Sequence, residues 1–142
     1  MIGKQRASEV TTQYVGNDLA AILAGEQITV GELRPWIARF QDIFVDGCIF
    51  LPPEISSRHR RVLIAHCLGH HFMHDGNQVW LRGFDSTWSR KQEIQAEEFT
   101  AYLLIPEYDC QGGARMIPPK RLAMQFEVTE DIAKLRVALS MI

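Results

Sequence analysis

Three features of this sequence predict an α+β fold in which a small antiparallel sheet packs beside a helical core. Asp46-Gly47 stands between two β-prone runs, Ile43-Phe44-Val45 and Cys48-Ile49-Phe50-Leu51, and that pair strongly favours a two-residue hairpin. Residues 58–74 place Val62, Leu63, Ile64, Ala65, Leu68, Phe72 and Met73 on several faces, as a largely buried helix does. A second long helix opens on the capping-box pattern Ser89-Arg90-Lys91-Gln92 and runs to Ile105, where Pro106 stops it.

Before the hairpin, residues 5–23 carry Val10, Tyr14, Leu19 and Ile22 at mixed three- and four-residue spacing, which predicts one amphipathic helix closed by Gly25. Thr29, with Glu32 three residues on, resembles a capping box and predicts a short helix there. Pro52-Pro53 ends the hairpin's second strand, and Ser56 or Ser57 caps the buried helix. The loop after that helix has room for a short strand at residues 78–81. Gly112-Gly113 marks a turn, Pro118-Pro119 leads a helix to about Phe126, and Thr129 caps a last helix from Glu130 to about Leu139. There is no internal repeat, low-complexity tract or linker, so residues 1–142 are read as one domain.

Composition narrows the function. With 142 residues, 46% hydrophobic and 23% charged, the chain can bury a core without disulfides. A net charge of -2 gives no basic footprint for nucleic acid. Three cysteines, Cys48, Cys67 and Cys110, without paired spacing point to a reducing compartment, and the polar opening Met1–Arg6 is unlike an apolar signal core. A cytoplasmic protein away from membranes is expected.

The chemistry lies in Ile64-Ala65-His66-Cys67-Leu68-Gly69-His70-His71. Histidines four residues apart share a helix face and can reach one ion. In the pattern H-E-x-x-H the residue after the first histidine is the general base toward water; here it is Cys67. A catalytic zinc takes three protein ligands and keeps one position open, so a third ligand is needed. Glu93, Glu97 and Glu98 lie on the helix after Ser89. With Ala96, Phe99 and Leu103 as its core seam, Glu93 and Glu97 share a stripe, and Glu98 lies about 100° away, toward solvent. One of the first two can bind the ion while the other orients a ligand histidine.

The stretch 64–74, followed by Glu93-Ile94-Gln95-Ala96-Glu97-Glu98-Phe99-Thr100-Ala101-Tyr102-Leu103-Leu104-Ile105-Pro106, resembles the ImmA/IrrE family of zinc metallopeptidase-like domains. Its members read A-H-E-L-G-H-x-x-x-H and then E-x-x-A-N-x-F-A-A-x-L-L-M-P. The likeness covers about residues 40–137 and includes the closing segment from Leu122 to Thr129. It implies a gluzincin-like (zincin) core, zinc as the metal, His66, His70 and Glu93 as its ligands, and Glu97 beside them where asparagine or aspartate is more usual. For some members it implies cleavage of a transcriptional repressor, and hence roles in phage or stress regulation.

Cys67 departs from the pattern. It lacks the charge of glutamate, and a thiol on one methylene falls short of both the water and direct ligation, so Cys67 is expected neither to ligate nor to catalyse. A Cys67–His66 nucleophilic pair is the rival reading, disfavoured because adjacent helical side chains point apart. His74, one turn beyond His70, is read as a helix-end residue suited to the carboxyl-end dipole, and His59 and His71 as ordinary polar positions. Residues 120–137 mix Glu127, Glu130 and Asp131 with few basic residues, unlike a DNA-reading helix pair. Trp36, Trp80 and Trp88 are read as packing residues. Three functions follow: a metal-binding pseudopeptidase that recognises a regulatory protein, an active zinc endopeptidase with another group (Glu97, or a residue reaching in from a loop) as base, or a metal-free interaction domain.

Overall fold

The computed structural model describes residues 2–34, 42–45, 47–74, 79–82, 90–106 and 117–141. In chain order the elements are α1 (Ile2–Gln13), α2 (Leu19–Gly25), β1 (Thr29–Glu32), β2 (Asp42–Val45), β3 (Cys48–Leu51), α3 (Ser57–Met73), β4 (Val79–Arg82), α4 (Arg90–Leu104), α5 (Pro119–Phe126) and α6 (Glu130–Ser140). The fold is α+β, as the sequence predicts.

The hairpin forms in the expected register, with Val45 opposite Cys48 and Ile43 opposite Phe50, and Gly47 closes its turn at φ 77°. Asp46 lies outside the described residues. The sheet is mixed, which corrects the antiparallel expectation. β2 pairs antiparallel with both β3 and β4, whereas β1 pairs parallel with β3, in the order β1-β3-β2-β4. The physical reason lies in β1. Thr29 and Val30 are β-branched and suit a strand better than the helix read there, and β2 already occupies one edge of β3. Residues 29–32 therefore fill its other edge.

The single helix read over residues 5–23 is two. Val15 (φ 54°) and Gly16 (φ 136°) turn the chain, and Asp18 caps α2 by accepting a bond from the Ala20 amide at 3.0 Å. α3 starts as expected, with Ser56 Oγ accepting from the His59 amide at 3.0 Å. Thr129 stands at the N-cap of α6, but its side chain makes no capping bond. Ser89, Cys110, Gly112, Gly113, Trp36 and Trp88 lie outside the described residues.

α4 is the central helix, packed by α1, α3 and α6. Its expected seam of Ala96, Phe99 and Leu103 is fully buried, and so are Thr100, Ala101 and Leu104 on its other faces. β3 turns Ile49 and Leu51 into the same core as Leu63, Leu68 and Phe99. α3 is buried continuously from Leu63 to His70, so two imidazoles enter the core with the apolar residues. No described helix is long and apolar enough to cross a membrane.

Candidate metal centre

His66 and His70 lie one turn apart on α3, 2% and 1% exposed, and α4 brings Glu93 to them from its first turn. The two Nε2 atoms are 3.2 Å apart. Glu93 Oε1 lies 2.7 Å from His70 Nε2 and Oε2 lies 3.6 Å from His66 Nε2. Among the described residues, these three form the group of ligand atoms that falls within 4.8 Å.

The approach of the two helices makes this possible. A Cβ added to Gly69 would stand 3.2 Å from the Ala96 carbonyl oxygen and 3.1 Å from Phe99 Cδ1. A larger residue there would push α4, and Glu93 with it, away from the imidazoles. One turn on, the Phe72 and Phe99 rings meet at 6.0 Å between centroids.

Burial pushes the Glu93 carboxyl upward, but hydrogen bonds to His66 and His70 and the charge of the two imidazoles outweigh it and hold the group well below the usual carboxylate range. An ionised carboxylate facing two imidazole nitrogens is a donor set for a divalent cation. Tetrahedral zinc with bonds of about 2.1 Å spaces its donors by about 3.4 Å. The 3.2 Å and 3.6 Å separations fit that spacing, and the 2.7 Å contact is a hydrogen bond that a small retreat of the carboxylate would open. The residues present fit the ion.

His74 does not join the group. Its amide donates to the His70 carbonyl, its ring lies 5.2 Å from the His70 ring, and its Nε2 is 3.1 Å from the Gln92 carbonyl oxygen. Burial lowers its pKa. Cys67 is 1% exposed and belongs to the apolar core. Glu97 is half-buried and lines, with His66, a cleft of about 520 Å³. The cleft's apolar side is Val62, Leu63 and Ile132, and its rim includes His59, Thr129 and Asp131.

Sequence reasoning missed two features. α6 supplies one wall of the cleft, and nothing in its spacing marks that. His71, read as an ordinary polar position, sits 2.8 Å from Glu26 Oε1, and Glu26 also accepts a hydrogen bond from the Tyr14 hydroxyl. A partner 45 residues away leaves no local signal.

Residues 29–138 match the IrrE N-terminal-like domain family, peptidase M78. The match covers more than three quarters of the chain, and the protein belongs to this family of metallopeptidase-like domains. No curated protein gives a significant match.

Proposed function

We propose that this domain binds one zinc ion through His66, His70 and Glu93, and that it recognises a regulatory protein, such as a transcriptional repressor, through the cleft beside His66 while hydrolysing it little or not at all. One observation carries the reading: a zincin-type donor set converges while Cys67, standing where the H-E-x-x-H general base belongs, is packed in the core. Bound zinc supplies Lewis-acid polarisation of a carbonyl or of water. The chain's own contribution is to hold two imidazoles and a carboxylate on rigid helices. It also offers a cleft whose apolar wall of Val62, Leu63 and Ile132 suits a polypeptide side chain. A positioned general base typically contributes about 10² to 10⁴-fold in rate, so its loss leaves recognition without efficient turnover.

Elemental analysis of the purified protein tests the metal, with one zinc per chain expected in the wild type and none in His66→Ala. Binding of a regulator encoded nearby, weakened by Ile132→Glu and unaccompanied by cleavage, tests the recognition. Glu97 supports a second reading, a weakly active endopeptidase, because it shares the cleft with His66. In that case Glu97→Gln abolishes cleavage while zinc remains bound. The 2.7 Å His70–Glu93 hydrogen bond supports a third, a metal-free interaction domain, and stoichiometric zinc would exclude it.

A further inference from the structure

Two of the three candidate ligands stand at helix ends. His70 is in the last turn of α3, where its carbonyl accepts the His74 amide, and Glu93 is in the first turn of α4. Terminal turns lack part of their hydrogen-bonding ladder and fray. A centre built from them needs both ends held from outside.

α1 and α2, which precede the family-matched residues 29–138, do this. Arg6 Nε donates to the Phe72 carbonyl at 3.3 Å, and its guanidinium lies 5.1 Å from the centre of the Phe72 ring. It thereby satisfies a carbonyl at the negative end of α3 with a cation. Glu26, fixed by the Tyr14 hydroxyl, holds His71 at 2.8 Å. On the other ligand helix, Gly3 lets α1 sit directly on α4. A Cβ there would be 2.7 Å from the Phe99 amide nitrogen and 2.9 Å from the Gln95 carbonyl oxygen.

We propose that the α1–α2 pair is a positioning clamp for the His66–His70–Glu93 centre, with Arg6 and Glu26 fastening the last turn of α3 and Gly3 seating α1 on α4 within two turns of Glu93. Arg6 and Glu26 are positioning residues, since neither is among the ligand atoms. Partners hydrogen-bonded to a ligand residue itself change metal affinity by about 10 to 100-fold; Arg6 and Glu26 hold the neighbouring Phe72 and His71 instead, so an effect at the low end of that range is expected.

The test uses the full chain, Co²⁺ alone as probe, and the double variant Arg6→Met/Glu26→Gln. Leu139→Ala, seven residues along α6 from Ile132, is the control for general destabilisation, and Gly3→Ala is a second variant acting from the α4 side. Co²⁺ is expected to leave the double variant about tenfold faster than the wild type, with an altered visible spectrum. Leu139→Ala should change neither. Equal dissociation rates and identical spectra for the double variant and the wild type would overturn the clamp. The metal readout rests on the proposed ligand set, so the imidazole nitrogen NMR signals of His66 and His70 are compared in metal-free protein as well. Signals displaced by the double variant but not by Leu139→Ala support the clamp even if the wild type takes up no Co²⁺, an outcome that defeats only the ligand assignment. Undisplaced signals overturn it.

Discussion

Gly69 of α3 and Phe99 of α4 stand so close that a Cβ on the glycine would be 3.1 Å from Phe99 Cδ1. Phe99 is fully buried and the nearby Ala96 oxygen is backbone, so neither gives way easily. Gly69→Ala gains about 1 kcal/mol of helix propensity but meets an overpacking cost of about 1 to 3 kcal/mol. A net loss of about 1 kcal/mol is expected in urea denaturation of the metal-free protein. Weaker zinc binding should accompany it, as α4 carries Glu93 outward. A more stable Gly69→Ala protein would mean that the helices can part without loss.

Glu26 ties the N-terminal pair to α3, and its contribution should depend on pH. Burial pushes its carboxyl upward, but the Tyr14 hydroxyl and His71 outweigh it, so the folded-state value lies below the ordinary 4.5. For a depressed carboxyl, the stabilisation is fully present above the unfolded-state value and is lost as pH falls through the folded one. The stability gap between the wild type and Glu26→Gln should therefore be constant from neutral pH down to about 4.5 and close below it. Denaturation curves collected between pH 7 and pH 3 test this, and a gap that widens with acid would contradict it.

Much of this architecture was legible because the signals were local. In the sequence Asp46-Gly47 marks the hairpin, Ser56 the start of α3, and Ala96, Phe99 and Leu103 the buried seam of α4. The candidate histidines were legible for the same reason, since His66 and His70 are one turn apart, whereas the stripe set by that seam left Glu93 and Glu97 open and the family resemblance singled out Glu93. Non-local choices were hidden. Residues 29–32 become a strand because β3 offers a free edge, and no window around Thr29 contains that edge. Asp18 breaks the first helix by offering a cap that competes with continuation through Val15 and Gly16. The attachments of Arg6 and Glu26 to the end of α3 span 66 and 45 residues, beyond any periodicity.

Bound zinc should stabilise the fold by mass action. With free zinc at about 100 times its dissociation constant, the gain is about 2.7 kcal/mol. Thermal denaturation should show a higher midpoint with zinc and a lower one after chelation. His70→Ala should show neither shift, because its remaining donors, His66 and Glu93, are a set of two. A chelator-insensitive wild type would favour the hydrogen-bonded, metal-free form of the same triad.

Substitutions at Cys67 test the proposed reading of recognition without catalysis. Cys67 is 1% exposed within the apolar core, so Cys67→Ala removes only a small buried group and is expected to cost about 1 kcal/mol without changing zinc stoichiometry. Cys67→Glu carries a heavier conflict. A carboxylate left in that core would be costly to bury, and on the proposed reading the substituted side chain has to leave the core for the centre beside His66. Reduced stability is therefore expected together with a gain of function. Cleavage of a genuine partner by the zinc-loaded variant should rise by about 10² or more over the wild type, and adding His66→Ala should abolish it. Arbitrary peptides are no substitute for that partner, because on the proposed reading the Val62, Leu63 and Ile132 wall would select what enters. Robust, chelator-sensitive cleavage by the wild type, lost in His66→Ala but untouched by Cys67→Ala, would show that another base acts and would overturn the pseudopeptidase reading. Glu97→Gln would then be the first variant to make, since Glu97 is the carboxylate that shares the cleft with His66.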